Sequence, residues 1–337
     1  MNKLLLLGEA YGEVEERERT PFVGPTGYEL TRLLEQAGIQ RSECYLTNVF
    51  NLRPPGNKVE ALCGSKAEAI KGYPAIIAGK FLHASYQPEL DRLADELLET
   101  NPNLIVALGN TACWAMLGKI NISKIRGTTT TSTHTADGFK CLPTYHPAAI
   151  FRQYELRPVT VLDLAKAKRE AEFPEIRRPS CNIWIDPDLS DMEHFYESFI
   201  KTCPLLSVDI ETAGTVVTRI GFAPSKSIAI VVPFVAAGRK GRNYWSSPAA
   251  ERQALLFVRR ILEDPSIPKL FQNGLYDIAF IWRAWGIKVM GAEEDTMLCH
   301  HAMQPESLKG LGFLGSVYTD HGSWKDMRKV ETIKKDD

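Results

Sequence analysis

Apolar side chains recur along the chain with two periods, and the switching between them lays out an alternation of strands and helices. Residues 4–7 are four consecutive leucines running straight into Gly8-Glu9, a short apolar run that reads as a buried strand. Residues 28–37 place Leu30, Leu33, Leu34 and Ala37 at helical spacing and stop at Gly38. Residues 45–49 and 104–108 read as strands and 90–98 as a helix, and Asn110 opens a helix that runs through Leu117 to Gly118. Such alternation predicts a mostly parallel sheet covered by helices. From residue 166 to 179 the chain turns charged, passes Phe173-Pro174 and ends in Arg177-Arg178-Pro179, the character of a linker. A second alternating pattern follows: strand 205–210, hairpin 217–232, helix 249–262, strand 269–272, helix 275–285 and a small strand 287–290. No internal repeat or low-complexity tract interrupts either half.

Composition adds limits. The 337 residues are 44% apolar and 24% charged, which suits two globular domains. No stretch approaches the length of a membrane span, and the leading leucines are too few for a signal peptide. Seven cysteines form no C-x-x-C pair, which argues against a disulfide framework or zinc ribbon and for a reducing cytoplasm. Forty basic residues balance 41 acidic ones, so binding to nucleic acid through bulk charge is excluded and any contact must be local. Arg239-Lys240-Gly241-Arg242 reads as a solvated loop, and His300-His301, adjacent on a helix, as structural because neighbours do not share a face.

Four stretches in the first half fall at strand exits or in Gly/Pro-rich loops: 8–12, 21–24, 47–57 and 143–147. Crevices in open α/β sheets form at such strand ends. Excising a nucleobase needs an aromatic face for the extruded base and an amide to read its edge. It also needs a donor for charge building on the departing base, and a carboxylate for water or the cationic sugar. Phe22, Asn48, His146 and Glu9 with Glu15 can fill those roles, while Arg53, Lys58 and Arg152 lie where phosphate contacts are expected.

The same residues carry a family likeness. Gly8-Glu-Ala, Thr20-Pro-Phe-Val-Gly, Thr47-Asn-Val with Arg53-Pro-Pro-Gly-Asn, Ile105-Val-Ala-Leu-Gly-Asn-Thr-Ala and Tyr145-His-Pro resemble uracil-DNA glycosylases in order and spacing over roughly residues 1–155. The group most resembled carries an iron–sulfur cluster. The resemblance implies that Phe22 stacks uracil, Asn48 reads its polar edge and His146 stabilises the leaving oxygen. Glu9 and Glu15 take the motif's acidic positions, and Ala148, Ala149 and Ile150 enter the minor groove. Leu52 stands where that group has a cysteine and only Cys63 lies near another ligand position, so no iron–sulfur cluster is expected. Tyr11 replaces the motif proline, and 66–87 reads as an insertion.

In the second half, Asp209-Ile210-Glu211 places two carboxylates at i and i+2 on a strand, which turns both to one face where they can share hard cations. Asn273 and Asp277 follow where strand passes into helix, and Glu294-Asp295-Thr296 comes later. Hydrolysis of a phosphodiester by two metals needs such acids gathered at one sheet edge. Asp-Ile-Glu-Thr, Asn273-x-x-x-Asp277, Asp295-Thr-Met and Ser307-Leu-Lys-Gly-Leu resemble the 3′–5′ proofreading domain of family A polymerases. The stretch from Leu311 to Asp326 resembles bacteriophage versions. By this resemblance Asp209, Glu211 and Asp277 hold Mg²⁺ or Mn²⁺, Asn273 contacts substrate, and Asp295 is structural. The family's later Tyr-x-x-x-Asp motif does not follow Asp295, since Gly322 stands four residues after Tyr318.

The combined expectation is a three-layer α/β/α uracil-DNA-glycosylase-like domain (1–165), a linker (166–180) and an RNase H-like, DnaQ-type α/β exonuclease domain (181–337), C-terminally incomplete. Its substrate is DNA, as single-stranded 3′ ends and uracil-containing strands. Its setting is the N-terminal part of a phage-type family A polymerase in the host cytoplasm, partnered by a downstream polymerase domain or replisome proteins and by no membrane. The alternative is a non-catalytic DNA-binding or replisome-docking module with degenerate sites.

Overall fold

The computed structural model describes residues 3–236 and 243–321. The basic run 239–242 and the tail from Gly322 therefore lie outside the described residues. Those up to Arg178, together with those from Gly312, form one compact unit, and Pro179–Leu311 form the other.

The first unit is built on β1 (Leu4–Ala10), α1 (Glu13–Glu18), α2 (Pro25–Gln36), β2 (Cys44–Phe50), the two-residue strands β3 (Cys63–Gly64) and β4 (Phe81–Leu82), α3 (Gln87–Thr100) and β5 (Leu104–Leu108). It continues through α4 (Gly109–Leu117), α5 (Ile122–Ile125), β6 (Thr130–Thr131), β7 (Lys140–Thr144), α6 (Pro147–Ile150) and α7 (Leu156–Glu170). The sheet order is β2-β1-β5-β7-β6, parallel throughout except for the short edge strand β6. The leucine run shows why three layers form. Leu5 and Leu7 pack with Leu90, Leu93, Leu97 and Trp114 of α3 and α4, whereas Leu4 and Leu6 pack with Leu30, Leu33 and Leu34 of α2 and Leu164 and Ala167 of α7. Period-two alternation thus sends successive leucines into two cores, each fully buried side chain contributing about 2 kcal/mol. The expected α/β/α layering is what folds.

Two boundaries differ from the sequence expectation. The linker anticipated from residue 166 begins inside α7, because Lys166 is buried and donates to the Gly127 carbonyl at 2.9 Å. Residues from Gly312 return to this first unit: Ser316 Oγ accepts from Arg126 at 3.0 Å, and the Thr319 carbonyl accepts from Lys166 at 2.8 Å.

The second unit carries β8 (Asn182–Ile185), α8 (Leu189–Phe195), β9 (Leu206–Ala213), β10 (Val216–Ser225), β11 (Ile228–Pro233), α9 (Pro248–Glu263), β12 (Lys269–Phe271), α10 (Gly274–Trp285), β13 (Ala292–Asp295) and α11 (Thr296–Met303). Its mixed sheet runs β13-β12-β9-β10-β11-β8. Leu206, Val208 and Ile210 of β9 enter a core shared with Ile220, Phe222, Val258, Ile261 and Ile281, which leaves Asp209 and Glu211 on the exposed alternation. The strand expected at 287–290 lies later, at β13, because Ile287 is spent on the core and pairing with β12 begins at Ala292.

Candidate functional site

In the first unit the parallel strands end together, and four predicted stretches meet there. Gly8 of β1 pairs in register with Asn48 of β2. A Cβ added at Gly8 would stand 2.2 Å from Asn48 Oδ1 and 2.4 Å from Phe22 Cζ, so the ring and the amide close over one bare Cα. Only glycine leaves that space. Phe22 reaches it from the loop between α1 and α2 with φ +56°, in the left-handed region. His146 follows β7, its ring centroid 6.1 Å from that of Phe22, and its Cβ would lie 2.9 Å from any Cβ at Gly109.

The electrostatics of His146 are defined by its turn. Its Nδ1 accepts from the Ala148 N–H at 3.2 Å, capping α6. Burial, with the Arg152 charge added, lowers its pKa from 6.5 to about 4. A neutral ring that accepts at Nδ1 carries its proton on Nε2, which is therefore a hydrogen-bond donor. Glu9 lies one residue beyond Gly8, on the side of α4, where Thr111 Oγ1 donates to it. Burial pushes its carboxyl above the usual range, with Glu60 adding to the rise and Thr111 and Arg152 opposing it.

Glu15, the second motif acid, is buried in α1, just ahead of the Phe22 loop. Its Oε1 accepts from the Gly24 N–H at 2.7 Å, at the cap of α2, so the carboxylate clamps the loop that carries Phe22. Arg53 is engaged by Asn57 at 2.7 Å and lies near Glu13 and Glu16 at 3.8 and 3.6 Å. Ile150, expected in the minor groove, is buried in the core, whereas Phe151 just after it is exposed. A side chain committed to packing cannot leave to part a base step, so that expectation is corrected. Tyr11 is buried beyond β1, its N–H bonded to the Leu52 carbonyl at 3.1 Å.

Sequence reasoning missed the supports. Arg92 of α3 donates to the carbonyls of Asn48 and Val49 at 2.9 and 3.0 Å and also to Glu89 and Glu96. Those two glutamates accept from the Asn51 N–H at 2.8 Å and Thr47 Oγ1 at 2.7 Å, pinning the end of β2 on both sides of Asn48. The Glu89/Arg92/Glu96 spacing reads in sequence as a solvated helix face.

In the second unit, Asp277 lies in the first turn of α10 and is buried. It accepts from the Ile210 N–H, between Asp209 and Glu211, and its pKa rises to about 6, first by burial and then by the Asp209 charge. Gly221 lies across from Asp209 in the sheet, so no side chain intrudes there. Asn273 adopts φ +59°, and Asp295 accepts from its N–H at 3.1 Å and from Gly274 N–H at 2.7 Å while capping α11. Asp295 is thus the clamp of the Asn273 turn. Mutual repulsion of Asp209 and Asp277 is what a divalent cation would relieve, so the donor chemistry fits one. Among the described residues, however, no three His, Cys, Asp or Glu side chains close into a ligating cluster. Asp277 feels the Asp209 charge, and Glu211 lies on the same exposed alternation of β9 as Asp209. An iron–sulfur cluster does not fit the donors near Leu52, which is packed among apolar residues. Cys63 donates to the Val59 carbonyl at 3.5 Å, and Cys113 and Cys141 lie inside the core.

Residues 1–173, just over half of the 337, match the family described as the uracil DNA glycosylase superfamily. The chain belongs to the uracil DNA glycosylase superfamily. Residues 188–336 match a second family, described as 3′-5′ exonuclease. Both are families of DNA-acting hydrolases. The glycosylase part is 34% identical over 175 residues to the type-4 uracil-DNA glycosylase of Thermotoga maritima, covering 49% of this chain and 76% of that protein. It is 29% identical to the type-4 enzyme of Sulfurisphaera tokodaii, covering 51% and 72%. Among solved structures, Brucella melitensis NrnC is similar at 18% identity and a TM-score of 0.29, over 42% of this chain and 62% of that one. This glycosylase-superfamily chain has no helix among its described residues long and apolar enough to cross a membrane.

Proposed function

We propose that the first unit flips uracil out of DNA and cleaves its glycosidic bond, and that the second trims single-stranded 3′ ends. The observation that carries the first reading is the convergence of the Phe22 ring and the Asn48 amide over Gly8, beside a neutral His146 that donates from Nε2. The extruded base stacks on Phe22, and the Asn48 amide pairs with its polar edge. As the bond to the sugar breaks, negative charge grows on the base oxygen and the His146 Nε2–H meets it, a preorganised donor on a buried ring. Glu9, its carboxyl raised by burial, holds the attacking water or faces the cationic sugar. Glu15 acts through the Phe22 loop, and Arg53, Lys58 and Arg152 meet phosphates.

In the second unit Asp209, Glu211 and Asp277 would hold Mg²⁺ or Mn²⁺, which when bound supplies an activated water and steadies the leaving 3′ oxygen. Asp277 and Asp209 provide the charge, Asn273 contacts the strand, and Asp295 keeps the turn in place. The finer reading is a replication and repair role as the N-terminal part of a phage-type family A polymerase, in the host cytoplasm, with a polymerase domain or replisome proteins as partners. It rests on the likeness of the exonuclease stretch to bacteriophage versions.

The test is release of free uracil from U-containing oligonucleotides, with Asn48→Ala and His146→Ala beside the wild type. Each variant should lose about 100-fold or more, the scale of a lost transition-state donor. A rate unchanged by both would remove the pocket assignment. A non-catalytic binding role has one observation in its favour, the unclosed acid cluster of the second unit. Binding of single-stranded DNA with uracil left intact and no Mn²⁺-dependent trimming would establish it instead.

A further inference from the structure

We infer that Arg41, which lies outside the base pocket, is the positioning residue that latches Phe22 for stacking; this rests on the uracil-reading assignment of that pocket. Phe22 holds φ +56°, a left-handed conformation that bulky L-residues rarely keep unless their surroundings over-determine it. The surroundings are specific. Arg41 Nη2 donates to the Phe22 carbonyl at 2.7 Å, while Nη1 donates to the Gly27 carbonyl at 3.2 Å and to Thr31 Oγ1 at 3.1 Å. Thr31 Oγ1 in turn donates to the Gly27 carbonyl at 3.0 Å. The Phe22 carbonyl is pressed over Gly27, where an added Cβ would stand 1.8 Å from its oxygen.

One planar guanidinium therefore ties Phe22, inside the loop, to the first two turns of α2. Arg41 itself opens the single 3-10 turn leading into β2, the strand that carries Asn48. The loop presenting the aromatic face is thus tied to the strand presenting the amide, and the gap between ring and amide is set by a residue that touches no base. Lysine, a point charge on a flexible stem, cannot bridge two carbonyls and a hydroxyl in one plane.

The experiment uses the full chain with Arg41→Ala, Phe22→Ala and the double variant, each in single-turnover cleavage of a U-containing oligonucleotide. Arg41→Ala should raise the half-saturating concentration about tenfold while the saturated rate stays within about threefold, because stacking serves bound and transition states alike. In the Phe22→Ala background the same change should alter neither value by more than about twofold, since the latch then holds nothing. Millimolar guanidinium ion should restore Arg41→Ala, and Arg41→Lys should not. Amide hydrogen exchange across residues 20–28 should quicken in Arg41→Ala about tenfold more than exchange elsewhere in the first unit. An equal loss from Arg41→Ala in both backgrounds, or unchanged exchange in that loop, would overturn the latch. A wild type that releases no uracil would remove the glycosylase reading, and the exchange measurement would still decide the latch.

Discussion

Acidification tests the state of His146. In the folded chain its pKa is lowered to about 4 by burial and the Arg152 charge, against 6.5 for the free side chain. The unfolded chain therefore takes up the proton first as pH falls. The sign follows: His146 costs nothing above pH 6.5, withdraws stability as pH drops from 6.5 towards 4, and adds no further loss below that. The whole displacement corresponds to about 3 kcal/mol, lost at about 1.4 kcal/mol per pH step in the middle of the window. The assay is urea unfolding of the wild type and His146→Gln from pH 8 to 4. The difference between the two curves isolates this residue from Glu9 and Asp277, which are present in both. The wild type should lose about 3 kcal/mol relative to the variant across the window. Its His146 ring resonances should show the Nε2–H tautomer and no titration near neutrality. Parallel unfolding curves, or a ring titrating at its ordinary pH, would refute the neutral-donor argument.

Other perturbations separate supports from chemistry. Gly27→Ala puts a methyl group 1.8 Å from the Phe22 carbonyl, a backbone atom that cannot step aside, and should cost about 3 kcal/mol or more in urea unfolding. Arg92→Ala strips donors from the Asn48 and Val49 carbonyls and leaves Glu89 and Glu96 without their shared cation. Melting should report a loss of about 3 kcal/mol, since one half-buried partner is removed and the others stay. Asp277, raised to about 6 in the folded chain, holds its proton more tightly there than when unfolded, so its contribution falls as pH rises from 3.8 through 6. Asp277→Asn should accordingly raise Tm at pH 7.5 without metal. Mn²⁺ should raise Tm of the wild type and leave the variant unmoved.

Much of this molecule can be read from local pattern. Leu4 to Leu7 announce a strand buried on both faces, and Gly38 and Gly118 close their helices because left-handed backbone is cheap for glycine. Motif residues at strand exits converge because parallel strands end on one side, which brings Phe22, Asn48 and His146 together without further information. What escapes is what depends on distant partners. Nothing near Arg41 signals that its guanidinium will meet a carbonyl nineteen residues upstream. Glu15 has the composition of a catalytic acid and the position of a helix-cap clamp. Ile150 follows the histidine motif as a wedge would, yet the core claims it and Phe151 is left outside. Lys166 looks like part of a charged linker until the Gly127 and Thr319 carbonyls bury its ammonium group.

The central claim is that one planar base fits between the Phe22 ring and the Asn48 amide within reach of His146 Nε2. The most direct measurement is a crystal structure of the full chain grown with free uracil. The ring should stack on Phe22, with its polar edge on the Asn48 amide and an oxygen at hydrogen-bond distance from Nε2. Uracil bound elsewhere, or a Phe22 ring and Asn48 amide that stay in mutual contact at saturating ligand, would contradict the account.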